Sequence, residues 1–235
     1  MHLKKTKKDE IILKKKLKNI DLFTKSPKKN HNNKIVKKPW GFEYLFWSNN
    51  SVALWVLLIK PNQSTSMHAH ISKKTFLINT NKILLKNLTH SKKINPFSLI
   101  EIDKSTFHQT LNFQKKKIIM FEIELPNNKS DLFRYKDKYN RKTNKYETEV
   151  LKSLDAINQR KRINNKYLKV YYGKTNKKDI SIKKGSIVIL ISGKLKLLDG
   201  TIKKIKPFKV NKNQVLKQNK ELKKNLVFIV IKNVK

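Results

Sequence analysis

The sequence predicts an all-β chain of two β-domains joined by one helix, and three observations predict it. From Val52 to Leu125, short runs rich in β-branched and aromatic residues follow each other at close spacing. Turn signals at Pro61-Asn62, Asn79-Thr80-Asn81 and Asn95-Pro96 separate them, with no helical-period segment between. Only Thr148 to Arg162 then carries apolar residues at helical spacing, namely Val150, Leu151, Leu154 and Ile157, with Thr148 as candidate cap. From Tyr167 the strand pattern resumes in a similar order. Many short strands without intervening helices indicate a sandwich or barrel, and a small jelly roll suits a central ligand site.

Taken in order, residues 1–36 read as a basic extension of mostly Lys and Asn. Ile11, Ile12, Leu13, Leu17, Ile20 and Phe23 recur there at roughly helical spacing. A basic amphipathic helix on an anionic membrane is one reading. The preferred one is a solvated, partly disordered segment whose few apolar residues rest on the domain. Residues 37–147 form the first β-domain. Aromatics crowd into Lys38-Pro39-Trp40-Gly41-Phe42-Glu43-Tyr44, and Val52–Ile59 reads as a buried strand. Strands are expected at roughly 66–71, 75–79, 82–88, 97–102, 107–112 and 117–125. The polar, aromatic-interleaved residues 126–147 read as a covering loop. Residues 148–165 are the linking helix, and 166–235 a second, shorter β-domain. Its strands are expected at Tyr167–Tyr172, Ile180–Ile182, Ser186–Ser192, Lys194–Leu198, Ile205–Val210 and Leu226–Ile231. The turns Lys184-Gly185, Ser192-Gly193 and Asp199-Gly200 punctuate it.

The formal charge of +40 and pI near 10.3 would ordinarily suggest nucleic-acid or anionic-membrane binding. The kind of charge argues against it. Of 56 basic residues only Arg134, Arg141, Arg160 and Arg162 are arginine, the side chain that phosphate and base readout favour. Lysine is spread along the chain with Asn and Ile, residues that AT-rich codons supply without functional cause. The N-terminus, where lysines are dense, is where such contact remains an alternative. Cysteine is absent, which excludes disulfides and thiolate metal sites. No apolar run reaches the roughly 18 residues needed to span a bilayer. Ile11-Ile12-Leu13 is too short for a signal-peptide core, so a cytoplasmic location is expected.

The chemistry concentrates in Ser66-Met67-His68-Ala69-His70 and in His108. Two residues apart on a strand, His68 and His70 face the same side. With a third imidazole from another strand they make an open site for a borderline divalent ion: Zn, Fe, Mn, Ni or Co. Such an ion polarises a carbonyl or takes a pair of sugar hydroxyls. Isomerisation of a sugar also needs a base. Glu43, Glu101, Glu122 and Glu124 are available, and their facing is not readable from sequence. Gln63 is a candidate neutral ligand. Lys73 and Lys74 are candidates to hold a phosphate. His2, His31 and His90 read as ordinary exposed histidines.

The two histidine segments resemble the paired motifs of the cupin superfamily. Its first motif runs G-x5-H-x-H-x3,4-E-x6-G. Asn62 stands at the first glycine, His68 and His70 match, and the glutamate position falls on Lys74 or Thr75. Its second motif runs G-x5-P-x-G-x2-H-x3-N. His108 and Asn112 match, with Asp103 at the proline and Ser105 at the glycine. Lys38-Pro39-Trp40-Gly41-Phe42-Glu43 and Pro61-Asn62-Gln63-Ser64 further resemble the cupin domain of type II mannose-6-phosphate isomerases, often fused to mannose-1-phosphate guanylyltransferases. Small sugar-metabolism cupins with Lys73-Lys74-Thr75 after His-x-His are closer still.

The resemblance covers about residues 37–147, and residues 166–235 match only as a degenerate cupin-like β-domain. It implies a metal-binding cupin of carbohydrate metabolism with His68, His70 and His108 as ligands. It also implies Gln63, Lys74, Asn112, Trp40 and Glu43 near a sugar or sugar-phosphate ligand, and a homodimer. The alternatives are a non-catalytic sugar-binding cupin and a basic nucleic-acid or membrane-surface protein.

Overall fold

The computed structural model describes residues 1–17, 31–141, 146–172, 180–192, 195–196, 202–203, 207–216 and 226–234. These fall into two compact units, Met1–Lys152 and Ser153–Lys235. Strands dominate both. Among the described residues no helix is long and apolar enough to cross a membrane.

The first unit carries strands β1 (His2–Leu3), β2 (Ile35–Lys38), β3 (Gly41–Ser48), β4 (Ala53–Ile59), β5 (Met67–Ala69) and β6 (Lys74–Asn79). There follow β7 (Ile83–Lys86), β8 (Ser91–Ile94), β9 (Leu99–Ile102), β10 (Gln109–Leu111), β11 (Ile118–Leu125) and β12 (Phe133–Lys136). One sheet has the order β1-β9-β6-β11-β4-β3-β2. The other joins β10-β7-β8 to β12-β5 through the antiparallel bridges Ser64↔Leu111 and His68↔His108. Antiparallel partners nest, with β7 on β8, β6 on β9, β5 on β10 and β4 on β11. The pairs β10·β7 and β11·β6 then close the roll. An eight-stranded hairpin wound on itself in this way is a jelly roll.

Alternation decides what enters the roll. Ala53, Trp55, Leu57 and Ile59 of β4 share an interior cluster with Leu77, Ile100, Ile102, Ile118 and Met120. Along the same face of β11, Ile118 and Met120 give way to Glu122 and Glu124, so the interior runs from apolar to charged. Gly41 opens β3 at φ +149°, and a Cβ there would lie 1.9 Å from the Leu58 carbonyl oxygen. Asn62 (φ 55°) and Ser105 (φ 60°), at the glycine positions of the two motifs, both take the left-handed backbone. Asn tolerates that region well, and the cost to Ser is small beside the fold.

Three expectations change. Residues 1–17 are part of the unit as a paired strand and a helix, and their apolar residues rest on it as expected. β1 pairs parallel with β9, and helix α1 (Lys7–Leu17) follows. Leu13 of α1 is buried with Met67, Ala69, Phe107 and Phe133. Thr6 and Asp9 cap α1 reciprocally: the Asp9 amide donates to Thr6 Oγ1, and the Thr6 amide and hydroxyl donate to Asp9 Oδ2. Ile20 and Phe23 lie outside the described residues. The segment 126–147 is more than a loop, because β12 within it pairs with β5. Lysine-rich β8, unread in the sequence, is an exposed edge strand whose charges discourage further pairing.

The second unit opens with α2 (Leu154–Tyr167), capped by Ser153 in place of Thr148. Val150 bridges Val36 and the Leu151 amide donates to the Ile35 carbonyl, which holds those two residues extended. Of the expected apolar face, Leu154 and Ile157 are exposed, while Ala156 and Ile163 are buried. The strands are β13 (Leu168–Tyr172), β14 (Ile180–Ile182), β15 (Ile187–Ser192), β16 (Leu195–Lys196), β17 (Ile202–Lys203), β18 (Phe208–Lys209), β19 (Gln214–Leu216) and β20 (Val227–Ile231). Sheet β13-β20-β15-β18 and the pairs β14-β19 and β16-β17 account for them. The turn residues Gly193, Asp199 and Gly200, and most of Lys194–Leu198, lie outside the described residues.

The buried carboxylate of Asp9 also accepts the Phe107 amide at 3.0 Å. Asp9→Ala removes a cap and leaves a buried donor unpaired, which predicts a loss of about 2–4 kcal/mol in unfolding free energy. Urea unfolding measures it, and a loss under about 0.5 kcal/mol would mean the helix contributes little to the fold.

Candidate metal centre

Strand parity places His68 and His70 inward while Met67 and Ala69 pack outward against α1. The His68 amide donates to the His108 carbonyl at 3.0 Å and the His108 amide returns the bond at 2.8 Å. The two imidazoles therefore stand side by side, with ring centroids 4.3 Å apart. His70 lies 5.0 and 5.5 Å from His68 and His108. One ring nitrogen from each of the three falls within 4.8 Å of the others.

Each ring is oriented by a backbone carbonyl. Nδ1 of His68 contacts Ser66 O at 2.8 Å, that of His70 Asp131 O at 2.6 Å, and that of His108 Thr106 O at 3.1 Å. A carbonyl only accepts, so Nδ1 carries the proton in all three and Nε2 presents a lone pair. Burial holds each imidazole neutral. It pushes His68 and His70 well below their ordinary value and His108 down to about 4, against the pull of the Thr106 carbonyl. Nε2 of His70 is buried with no hydrogen-bond partner. Three clustered neutral imidazoles fit a borderline divalent ion, and the orphaned His70 nitrogen fits a place on it.

The surrounding cleft encloses about 410 Å³, part of it open to solvent. Trp40 and Glu43 line it. Three other candidates point elsewhere. Lys74 faces outward and bonds Glu101 and Asp103 at 2.8 and 3.0 Å. The Asn112 side-chain amide donates to the carbonyls of Ile59, Lys60 and Lys116, a turn-holding role. Gln63 accepts from Tyr139 at 2.8 Å. Of the histidines read as exposed, His2 and His90 are exposed and His31 is half-buried. His31 packs edge-on against Trp55 and Tyr146, and His2 bonds Asp103 at 2.9 Å.

The sequence reading missed the charged wall opposite the histidines. Glu43, Glu122 and Glu124 surround the Lys129 ammonium at 3.4, 3.9 and 3.3 Å, and that ammonium also lies 4.1 Å from the centroid of the Trp55 ring. Lys73 bonds Glu124 at 2.7 Å with both side chains fully buried. Lys38 and Arg134 converge on one Glu147 oxygen at 2.7 and 2.9 Å, and Arg141 clasps Asp137. Burial works against the charge of Lys129, but the three glutamates outweigh it and hold its pKa well above the ordinary range. Burial pushes Glu122 up to about 7, with Glu124 adding to it and Lys129 opposing. Asp131 ties the lysine-bearing loop to the His-x-His segment. Its carboxylate accepts from the amides of Ile71, Ser72 and Lys73 at 2.7, 2.8 and 2.9 Å.

Strand order and an inward histidine cluster together define the first unit as a cupin-like jelly roll. No protein-family model matches the sequence, and no curated protein matches it. Solved structures do. The capsular polysaccharide assembling protein CapF of Staphylococcus aureus is 12% identical with a TM-score of 0.38, over 44% of this chain and 34% of that one. The chain thus spans only part of that protein's length. An uncharacterized conserved protein with a double-stranded β-helix domain from Klebsiella pneumoniae is 12% identical, TM-score 0.38, over 47% and 90%. A cupin-superfamily sugar phosphate isomerase from Silicibacter pomeroyi is 10% identical, TM-score 0.36, over 41% and 65%. The jelly-roll assignment rests on the strand order and register of this chain.

Glu43 gives a pH prediction. Burial would raise its pKa, but the ammoniums of Lys129 and Lys38 and the Tyr146 hydroxyl bring it from 4.5 down to about 2. A folded-state value below the unfolded one adds stability above pH 4.5 that is lost as pH falls through about 2. The gap corresponds to on the order of 3 kcal/mol. Unfolding free energies measured across pH 5 to 2 are expected to fall less steeply in Glu43→Gln than in the unaltered protein. Parallel slopes would remove Glu43 from the acid response.

Proposed function

We propose that the first unit is a metal-binding cupin whose His68, His70 and His108 hold one divalent transition-metal ion against which a small hydroxylated ligand of the sugar class binds. The observation that carries the reading is the clustering of three neutral, buried imidazoles, each with Nδ1 on a backbone carbonyl and one ring nitrogen of each within 4.8 Å of the others. An ion there would polarise a carbonyl or take vicinal hydroxyls. Lys38, Lys73, Lys129, Arg134 and Arg141 line the cleft, and each is paired with a carboxylate. That arrangement favours recognition of hydroxyl groups over capture of a free phosphate. Carbohydrate metabolism is the setting that the motif resemblance supports. Sugar-phosphate isomerisation is the enzymatic form of the reading, and sugar binding without turnover the other form.

Elemental analysis of the purified, untagged protein beside His108→Ala tests the site. The expected result is one transition-metal ion per chain, lost in the variant. An intact fold without metal, or metal retained in His108→Ala, would sink the assignment. Calorimetry and turnover assays with neutral sugars and sugar phosphates then separate binding from isomerisation.

A further inference from the structure

We propose that Glu122 supplies a carboxylate ligand to the ion, completing the site from a strand that carries none of the histidines. The proposal rests on the reading that the three histidines hold an ion. β11 is hydrogen-bonded to β4 on one side and β6 on the other, with Glu122 opposite Trp55 and Leu77. Its side chain, 8% exposed, reaches His70 from the opposite sheet, with Oε1 3.9 Å from Nε2 of that ring. That nitrogen is the buried one with no hydrogen-bond partner. Two ligands each ~2.1 Å from one ion lie roughly 3.0–3.4 Å apart, so closure by less than ~1 Å brings both into coordination.

The other interior carboxylates each hold an ammonium at closer range, although Glu124 Oε2 is buried without a partner. Glu43 accepts the Tyr146 hydroxyl and lies 3.4 and 3.5 Å from the ammoniums of Lys129 and Lys38. Glu124 lies 2.7 Å from Lys73 and 3.3 Å from Lys129. Glu122 stands 3.9 Å from both the neutral His70 ring and the Lys129 ammonium. A nearly buried carboxylate beyond hydrogen-bond distance of the Lys129 ammonium and beside a neutral imidazole is costly unless another cation approaches, and the orphaned His70 nitrogen shows where it would sit. Glu122 would turn from Lys129 toward the ion, and Lys129 would keep Glu43 and Glu124.

Zinc and cobalt(II) titrations of the full chain, of Glu122→Gln, of His108→Ala and of the outward-facing Glu101→Gln test this. Glu122→Gln is expected to keep one ion per chain but bind it at least about tenfold more weakly, with an altered cobalt absorption spectrum. Glu101→Gln is expected to match the unaltered protein. If Glu122→Gln binds within about twofold and gives the same spectrum while His108→Ala loses the ion, Glu122 is no ligand and the histidine site stands. If the unaltered protein takes up neither metal, the site reading fails and this proposal with it. Should Glu122→Gln not fold, the infrared difference between zinc-loaded and zinc-free unaltered protein decides. A shifted carboxylate stretch is expected, and no shift would overturn the proposal.

Discussion

The reciprocal backbone bonds between His68 and His108 are what the site depends on. They join a two-residue bridge of β5 and β10, strands far apart in sequence but adjacent in the nested hairpin. Antiparallel neighbours on one face stand about 5 Å apart, and that spacing sets the two imidazoles side by side. His70 follows by parity. A register slip of one residue would send all the β5 side chains to the opposite face, exchanging the histidines for Met67 and Ala69. The apolar outer face of β5, packed on α1, opposes that slip. The inward histidines and the outward helix packing are thus fixed by one register.

The interior around that bridge is unusual for a small β-domain. Buried ion pairs seldom stabilise relative to apolar packing, because desolvation offsets the Coulomb attraction. Their cost is tolerable here because the groups are multiply bonded. Lys73 has Glu124 and the Asn128 carbonyl. Lys129 has three glutamates and an aromatic face. Loss of one partner would strand the rest, so the network specifies a single arrangement more strongly than it stabilises one. Asp131 links the two halves of this device, since its carbonyl orients His70 and its carboxylate fixes the backbone that presents Lys73.

How much of this was legible depended on whether a side chain's neighbours were local. Parity of His68 and His70 is a property of one strand and could be read directly. So could the turns, where Asn62 and Ser105 take the left-handed backbone that glycine would otherwise serve. The facing of Glu122 could not be read. Every other residue of β11 except Glu124 is apolar, on both faces, so no alternating pattern reported which side was inward. Lys129 and Arg134 looked like any other basic residue in a chain with 56 of them, and Lys73, singled out for a phosphate, instead pairs with Glu124. Their burial depends on carboxylates contributed by distant strands. Helix α2 shows the converse error. Val150 and Leu151 fit a helical spacing, yet pairing with β2 draws them into extended backbone.

The N-terminal segment shows why composition misled. Its lysines suggested a solvated tail, but the local signals for a helix start were present in Thr6 and Asp9, three residues apart. A capping pair satisfies amides that a disordered chain would leave to water. The remaining oxygen of Asp9 then does something no helix requires and takes the Phe107 amide next to His108. Lysines on the outer side of α1 are compatible with this because their stems can lie along the surface while the ammoniums stay hydrated. The charge of the segment therefore describes its solvent face, and its few apolar and acidic residues describe its structure. By holding Phe107 and packing Leu13 beneath β5, the segment supports both strands of the histidine bridge from behind.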